Sequence, residues 1–223
     1  MNKNTYLFTL TITPVQSFIS QARKTKDLFV GSEILSNLMK QILGSEYLSS
    51  LNIKFISPYI PNKKIDEIET SFPNKMVVKI KDITEKEVID IGKNLEQCIN
   101  SQFINLIFRT TKKCNSSLQN FFKVFWVAVE LEDDYKKSYK KLEQNLGAIK
   151  NLRVFEQETQ LKGYQKCSLC GERNWIEKKH DDKLCLICLT KRECKIKDKT
   201  RESYPSTAKI ALLDWLKDID YKE

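Results

Sequence analysis

Two CxxC pairs, Cys167-Ser-Leu-Cys170 and Cys185-Leu-Ile-Cys188, constrain this chain more than any other feature, because four thiols on two short turns have few stable arrangements. Fourteen residues, 171–184, separate the pairs, slightly fewer than in most zinc ribbons and within reach of one tetrahedral ion. Four soft thiolates with no open position describe a structural zinc site rather than a catalytic one, with reduced thiols or an iron–sulfur cluster as the alternatives. Gly171 suits the turn that aims backbone amides at thiolate sulfur, and Trp175-Ile176 reads as a strand of a short hairpin between the knuckles. Cys194, six residues beyond Cys188, could compete as a ligand; Cys98 and Cys114 read as core or surface thiols. Seven cysteines, an odd number, fit metal ligation in a reducing compartment better than a disulfide framework, which makes the cytoplasm the expected location.

The rest of the chain alternates strand and helix patterns. Tyr6 to Ile12 is aromatic and β-branched with a period of two, as a half-buried strand should be. Pro14 suits a first helical position with Thr13 as its cap, and Val15, Phe18, Ile19 and Ala22 recur at helical steps. Arg23, Lys24 and Lys26 form a compact cationic stretch, and Gly31-Ser32 is expected to break the helix before Ile34, Leu35, Leu38 and Met39 resume it. Residues 52–57 and 76–81 read as strands. Thr84 with Glu87 is a capping-box signature for a helix running to about Phe108 on a stripe of Val88, Ile91, Leu95, Ile99, Phe103 and Leu106. Gly92 interrupts that helix at a cost of about 1 kcal/mol relative to alanine, which marks it as a place of close packing. Residues 122–131 are the most strand-like run of all. The order strand, helix, strand, strand, helix, strand is the ferredoxin-like βαββαβ arrangement, so the fold class is α+β. Past Asp133, Tyr135, Tyr139, Leu142, Leu146 and Ile149 predict a basic amphipathic helix that serves as a connector. The expected division is 1–132 for the ferredoxin-like domain, 133–162 for the connector, 163–190 for the zinc module, and 191–223 for a basic segment and the start of a truncated helical domain.

The charge balance of 38 basic against 29 acidic residues, net +9, suits a polyanion or a neighbour bound to one. Apolar residues make up 41% of the chain, enough for a core, and no apolar run approaches the roughly 18 residues of a membrane span. His180-Asp181 spells a phosphohydrolase dyad, but His180 is the single histidine and reads as part of a solvated turn. Glu132-Asp133-Asp134 after a strand could mimic the paired carboxylates of a nucleotide cyclase, yet the glycines that would shape such a hairpin are missing. No phosphate-cradling glycine loop and no Ser/His/Asp set is present.

Four landmarks, in order, carry a resemblance. They are Thr13-Pro14-Val15-Gln16-Ser17-Phe18-Ile19 with Ala22 to Phe29, Gly31-Ser32 and Leu35-Ser36; Phe72-Pro73-Asn74-Lys75; the paired CxxC motifs; and Tyr204 to Ala211. Together they resemble the large subunit of Cmr-type (type III-B) CRISPR effector complexes, over nearly the whole chain. That resemblance implies the first of two polymerase/cyclase-like palms plus its zinc insertion, within an RNA-guided antiviral ribonucleoprotein. It implies other Cmr-type subunits, guide RNA, target RNA and the second palm as partners. It implies ATP or a related nucleotide with Mg or Mn in the complete subunit, which makes a nucleotide second messenger of the cyclic oligoadenylate type. By position, Lys24, Gly31 and Ser32 would contact the second nucleotide. The family's catalytic Gly-Gly-Asp-Asp lies in the second palm and its HD nuclease domain precedes the first, so this chain alone is expected to be inactive, a truncated subunit, a split gene or an expressed domain.

Two other readings compete. One is a stand-alone zinc-ribbon protein gripping nucleic-acid phosphates with Lys178, Lys179, Lys183, Lys191, Arg192, Lys195, Lys197, Lys199 and Arg201. The other is a self-sufficient nucleotidyl transferase built on Glu132 to Asp134.

Overall fold

A computed structural model of the chain describes residues 3–60, 65, 71–115, 118–152, 165–195 and 207–212. Four strands build its main sheet: β1 (Asn4–Thr13), β2 (Ile53–Ser57), β3 (Lys75–Ile83) and β4 (Lys123–Glu130). Their order is β2-β3-β1-β4, and every neighbouring pair is antiparallel. Between β1 and β2 lie α1 (Gln16–Ser20), α2 (Thr25–Leu43) and α3 (Glu46–Ser49); between β3 and β4 runs α4 (Glu85–Thr111). The architecture is therefore a mixed α/β fold on an antiparallel sheet.

Strand periodicity sends alternate side chains to opposite faces. Phe8, Leu10 and Ile12 of β1 join Met76, Val78 and Ile80 of β3 on one face, where α1, α2 and α4 cover them. Leu7, Val77, Val127 and Val129 point to the other face and meet Leu142 and Leu146 of α5 (Tyr135–Lys150). The segment expected as a connector is thus a cover for the second face of the sheet. An ion pair from Lys75 to Glu143, 2.7 Å, ties α5 to β3. Two threonines of β1 are buried on this side, and the Thr9 hydroxyl donates to the Met76 carbonyl at 2.9 Å.

The long helix α4 begins as expected: the Thr84 hydroxyl accepts from the Glu87 amide, and the Glu87 carboxylate accepts from the Thr84 amide at 2.8 Å. The bond from the Thr84 amide first, and then one that the carboxylate accepts from the Thr84 hydroxyl at 2.7 Å, hold the Glu87 carboxyl below its ordinary range. Its buried stripe ends on Ile107, with Leu106 only partly buried. Gly92 faces the indole of Trp126 on β4 so closely that an added Cβ would lie 2.3 Å from two ring atoms. An exposed helical glycine usually gains about 1 kcal/mol on replacement by alanine. Here Gly92→Ala is expected to cost about 1–3 kcal/mol instead, as overpacking does. Urea denaturation reads the sign, and a stabilised variant would show that the indole can move aside freely.

The amino-terminal helix differs from expectation in where it breaks. Thr13 does not cap a helix; it ends β1, and its hydroxyl donates to the Lys123 carbonyl at 3.2 Å. Helix α1 stops at Ser20, residues 21–24 form an elbow, and α2 then runs without interruption through Gly31 and Ser32. A glycine costs a 19-residue helix little when its bare face is packed, and Gly31 is buried against the α1 backbone. The helix expected from Ser206 is seen as α7 (Thr207–Ala211); Ser206 itself and residues 213–216 lie outside the described residues.

Candidate metal centre and the elbow it faces

The cysteine module folds as two knuckles joined by a hairpin, β5 (Glu177–Lys179) and β6 (Asp182–Leu184), followed by α6 (Leu186–Glu193). The hairpin strand begins at Glu177, just beyond the expected Trp175-Ile176, while Lys166 and Asn174 form a bridge of their own. His180 and Asp181 make the exposed turn, with His180 at φ 52°. At the first knuckle Gly171 adopts φ +66°, which only glycine takes without strain, and its amide closes the turn onto the Cys167 carbonyl at 2.9 Å. The amides that face sulfur are those of Cys170 and Arg173, toward Cys167 and Cys170 respectively. At the second knuckle Cys185 is the residue before α6 and Cys188 lies in its first turn, where the helix dipole favours thiolate.

The hairpin holds these knuckles together. The Ser168 amide donates to the Lys183 carbonyl and the Ile176 amide to the Leu184 carbonyl, each at 2.8 Å. As a result the sulfurs of Cys167, Cys170, Cys185 and Cys188 all lie within 4.8 Å of one another, and Cys170 to Cys185 is 3.8 Å. In a tetrahedron with metal–sulfur bonds of about 2.3 Å, the sulfurs stand roughly 3.8 Å apart. The cluster is therefore the right size for one ion. Thiol chemistry points the same way. Hydrogen bonds from Cys170, Cys185 and Cys188 push the Cys167 thiol far below its ordinary value. Cys170 is lowered to about 6, because contacts with Cys185 and Cys188 outweigh the opposing one with Cys167. Cys185 and Cys188 are raised, by their contacts with Cys167 and Cys170 and then by burial. Four thiols this close compete for one another's protons, and a divalent cation among them would favour all four as thiolates.

Cys194 stands outside the cluster; its thiol is raised by burial and bonded to Thr110. Cys98 is half-buried and Cys114 exposed. The carboxylates Glu132 and Asp134 serve α5: Asp134 caps it by accepting from the Lys137 amide, and Glu132 pairs with Lys137 at 3.0 Å.

The module is not a satellite. Cys167, Leu184, Cys185, Leu186, Ile187, Cys188 and Leu189 belong to the same buried cluster as Phe8 and Phe18. Its charged contacts converge on the α1–α2 elbow. Lys191, 1% exposed, donates to the Phe18 carbonyl at 2.7 Å and to the Gln21 carbonyl, with its ammonium over the Phe18 ring. Burial pushes the Lys191 pKa down. Arg192, 8% exposed, grips both oxygens of Asp27 at 2.8 Å and reaches Asp182 at 3.3 Å. The Asp27 bond, foremost, holds the guanidinium above its ordinary value. Asp182 also pairs with Arg23 at 2.6 Å, and Gln21 donates to Glu172 at 2.6 Å. Two cations expected on a phosphate-gripping surface are thus turned inward. Of the others, Lys179 pairs with Glu177 and Glu193. Lys183 lies by the Trp175 ring and bonds Gln165. Lys178 and Lys195 are exposed, and Lys197, Lys199 and Arg201 lie outside the described residues.

Lys24 is the residue before α2, exposed; Ser32 is exposed eight residues later on the same helix, about 12 Å along its axis at 1.5 Å per residue. Gly31 is buried, and a Cβ there would meet the Lys191 side chain at 3.5 Å. The three do not converge on one point. Sequence reasoning missed Asp27, Lys191 and Arg192 as a unit, since no local signal marks ion pairs between residues so far apart in the chain.

Residues 7–108 match the family model described as CRISPR-associated protein Cmr2, N-terminal. The fold is similar to that of a chain in the apo state of a type III-B Cmr-beta complex, with a TM-score of 0.62 at 16% identity, covering 97% of this chain and 36% of that one. It is also similar to a chain in the Cmr-beta complex bound to cognate target RNA, with a TM-score of 0.54 at 16% identity, covering 86% and 32%. The chain spans about a third of the length of these solved relatives. No curated protein matches its sequence. In sequence over residues 7–108 and in fold over nearly its whole length, this chain resembles the amino-terminal region of a Cmr2-like large subunit.

Proposed function

We propose that the chain supplies the non-catalytic palm of a type III-B CRISPR effector's large subunit, working with other Cmr-type subunits, guide RNA, target RNA and a second palm in the cytoplasm. The family match over residues 7–108 carries this reading. The strand order β2-β3-β1-β4, all antiparallel, with helices between β1 and β2 and between β3 and β4, supports the ferredoxin-like form of that palm. On this reading residues 1–132 form the palm, 133–162 lead on from it, 163–190 hold one structural zinc on Cys167, Cys170, Cys185 and Cys188, and 191–223 begin a further unit. On this reading Lys24, offering charge, and Ser32, offering a hydroxyl, would contact the nucleotide from separate places along α2, with Gly31 packed behind them. The complete subunit would use that nucleotide, with Mg or Mn, in messenger synthesis. Among the described residues no helix is long and apolar enough to cross a membrane.

Affinity purification from the native host, with mass spectrometry of what copurifies, tests the assembly; recovery free of Cmr-type subunits and RNA would reject it. The chain alone is expected to convert no ATP in the presence of Mg²⁺ or Mn²⁺, because two of its three clustered acids, Asp134 and Glu132, serve as a helix cap and an ion-pair partner. A cyclic or linear adenylate lost in an Asp133→Asn, Asp134→Asn variant would favour a self-sufficient transferase. The zinc-ribbon alternative, a free-standing nucleic-acid binder, is weakened by the burial of Lys191 and Arg192. It returns if the isolated chain binds single-stranded RNA tightly and stoichiometrically at physiological salt.

A further inference from the structure

The elbow at residues 21–24 has no regular backbone structure, and it takes side-chain bonds from the cysteine module. Helix α1 is five residues long, and its last turn leaves carbonyls that need donors. The Lys191 ammonium supplies them at Phe18 and Gln21. In the first turn of α2, Asp27 is wholly buried, and Arg192 takes both its oxygens. Gln21 and Arg23 reach Glu172 and Asp182. Every one of these partners lies within four residues of a cysteine of the cluster: Glu172 follows Cys170, Asp182 precedes Cys185, and Lys191 and Arg192 follow Cys188.

The helix that presents Lys191 and Arg192 has eight residues, too few to hold its shape unaided. Its start is fixed by Cys185 and Cys188, and residues three and four places beyond Cys188 share its face. An ion on the four sulfurs would therefore aim both cations. With that anchoring lost, Asp27 could stay buried only as an unpaired charge, so the elbow would have to open to hydrate it.

We infer that metal occupancy of the four-cysteine centre sets the conformation of the α1–α2 elbow and the helix ends beside it, residues 18–27, through Lys191 and Arg192. The module is then a positioning device for the start of α2, where Lys24 lies. This rests on reading the cysteines as a metal site, and it stands whether or not a nucleotide binds at Lys24.

Linkage makes the inference reciprocal: if the metal orders the elbow, the elbow must strengthen the metal. Asp27 is 140 positions from Cys167 and is bonded to none of the four thiols. Zinc affinity of the full chain is measured by competition with a chromophoric chelator. Asp27→Asn is expected to lower it at least about fivefold, the small end of ordinary coupling. Hydrogen–deuterium exchange at saturating zinc is expected to rise over residues 18–28 in that variant, while β1 and β3 stay protected. Should Asp27→Asn fail to fold, Arg23→Gln, which removes an exposed partner of Asp182, is expected to act in the same direction by about twofold to threefold. Zinc binding unchanged in the folded variants, or exchange at 18–28 unchanged in them at saturating zinc, overturns the inference. Equal loss of protection across the sheet does so too, because the effect would then be global. A parent chain that takes up no zinc rejects the metal reading itself and the inference with it.

Discussion

Cys188→Ser is expected to unfold much more than the cysteine module. Structural zinc in small sites contributes about 10–16 kcal/mol of apparent binding free energy, which is also folding free energy. A domain of ordinary stability has roughly 5–15 kcal/mol in total. Cys188 is 0% exposed, and its neighbours Ile187 and Leu189 lie in the buried cluster that includes Val30 of α2 and Ile107 of α4. A loosened knuckle therefore withdraws apolar cover from both helices. The expected result is loss of the zinc equivalent by elemental analysis, together with a fall of tens of degrees in the helical melting transition, or no cooperative transition at all. Cys114→Ser, at an exposed thiol outside the cluster, is the control and is expected to melt with the parent. A zinc-free Cys188→Ser variant that melted within a few degrees of the parent would show that the module hangs on the main sheet and its helices without supporting them.

That interdependence is what the sequence conceals, and the reasons are physical. The β1 pattern, the stripe on α4, the Thr84–Glu87 box, the close contact at Gly92 and the spacing of the cysteines are local or periodic, and each is visible in the residues themselves. The elbow is not local. Gly31-Ser32 looks like the better helix breaker, because glycine has the lower propensity by about 1 kcal/mol. The actual break at residues 21–24 is fixed by Lys191 and Asp182, more than 150 positions away. Five lysines make α5 resemble a solvated connector, yet Leu142 and Leu146 are buried on the second face of the sheet. Lys191-Arg192 within a basic stretch looks like a phosphate contact, since runs of charge are usually solvated. One signal was available: Leu186-Ile187 and Leu189 make α6 apolar on the side that carries Cys188, as a helix buried against others must be.

Arg192→Met is the substitution expected to cost most outside the cysteines. It leaves Asp27, wholly buried, without its bidentate partner, and Asp182 with Arg23 alone. Breaking one side of a buried pair costs about 3–5 kcal/mol, because the remaining charge keeps its desolvation penalty and loses its compensation. Replacing both sides with apolar groups of similar volume is often neutral or better. The double variant Asp27→Leu, Arg192→Met is accordingly expected to recover most of the loss, to within about 1–2 kcal/mol of the parent. Urea denaturation of the two single variants and the double, each at saturating zinc, gives the coupling energy directly. Recovery would show that Arg192 is held in place by the carboxylate it neutralises, and that the elbow tolerates an apolar lock when packing is kept. A single variant costing under about 1 kcal/mol would mean that water reaches Asp27 readily, contrary to its burial. Failure of the double variant to recover would place the stability in the forked geometry that Arg192 makes with Asp27 and Asp182 together.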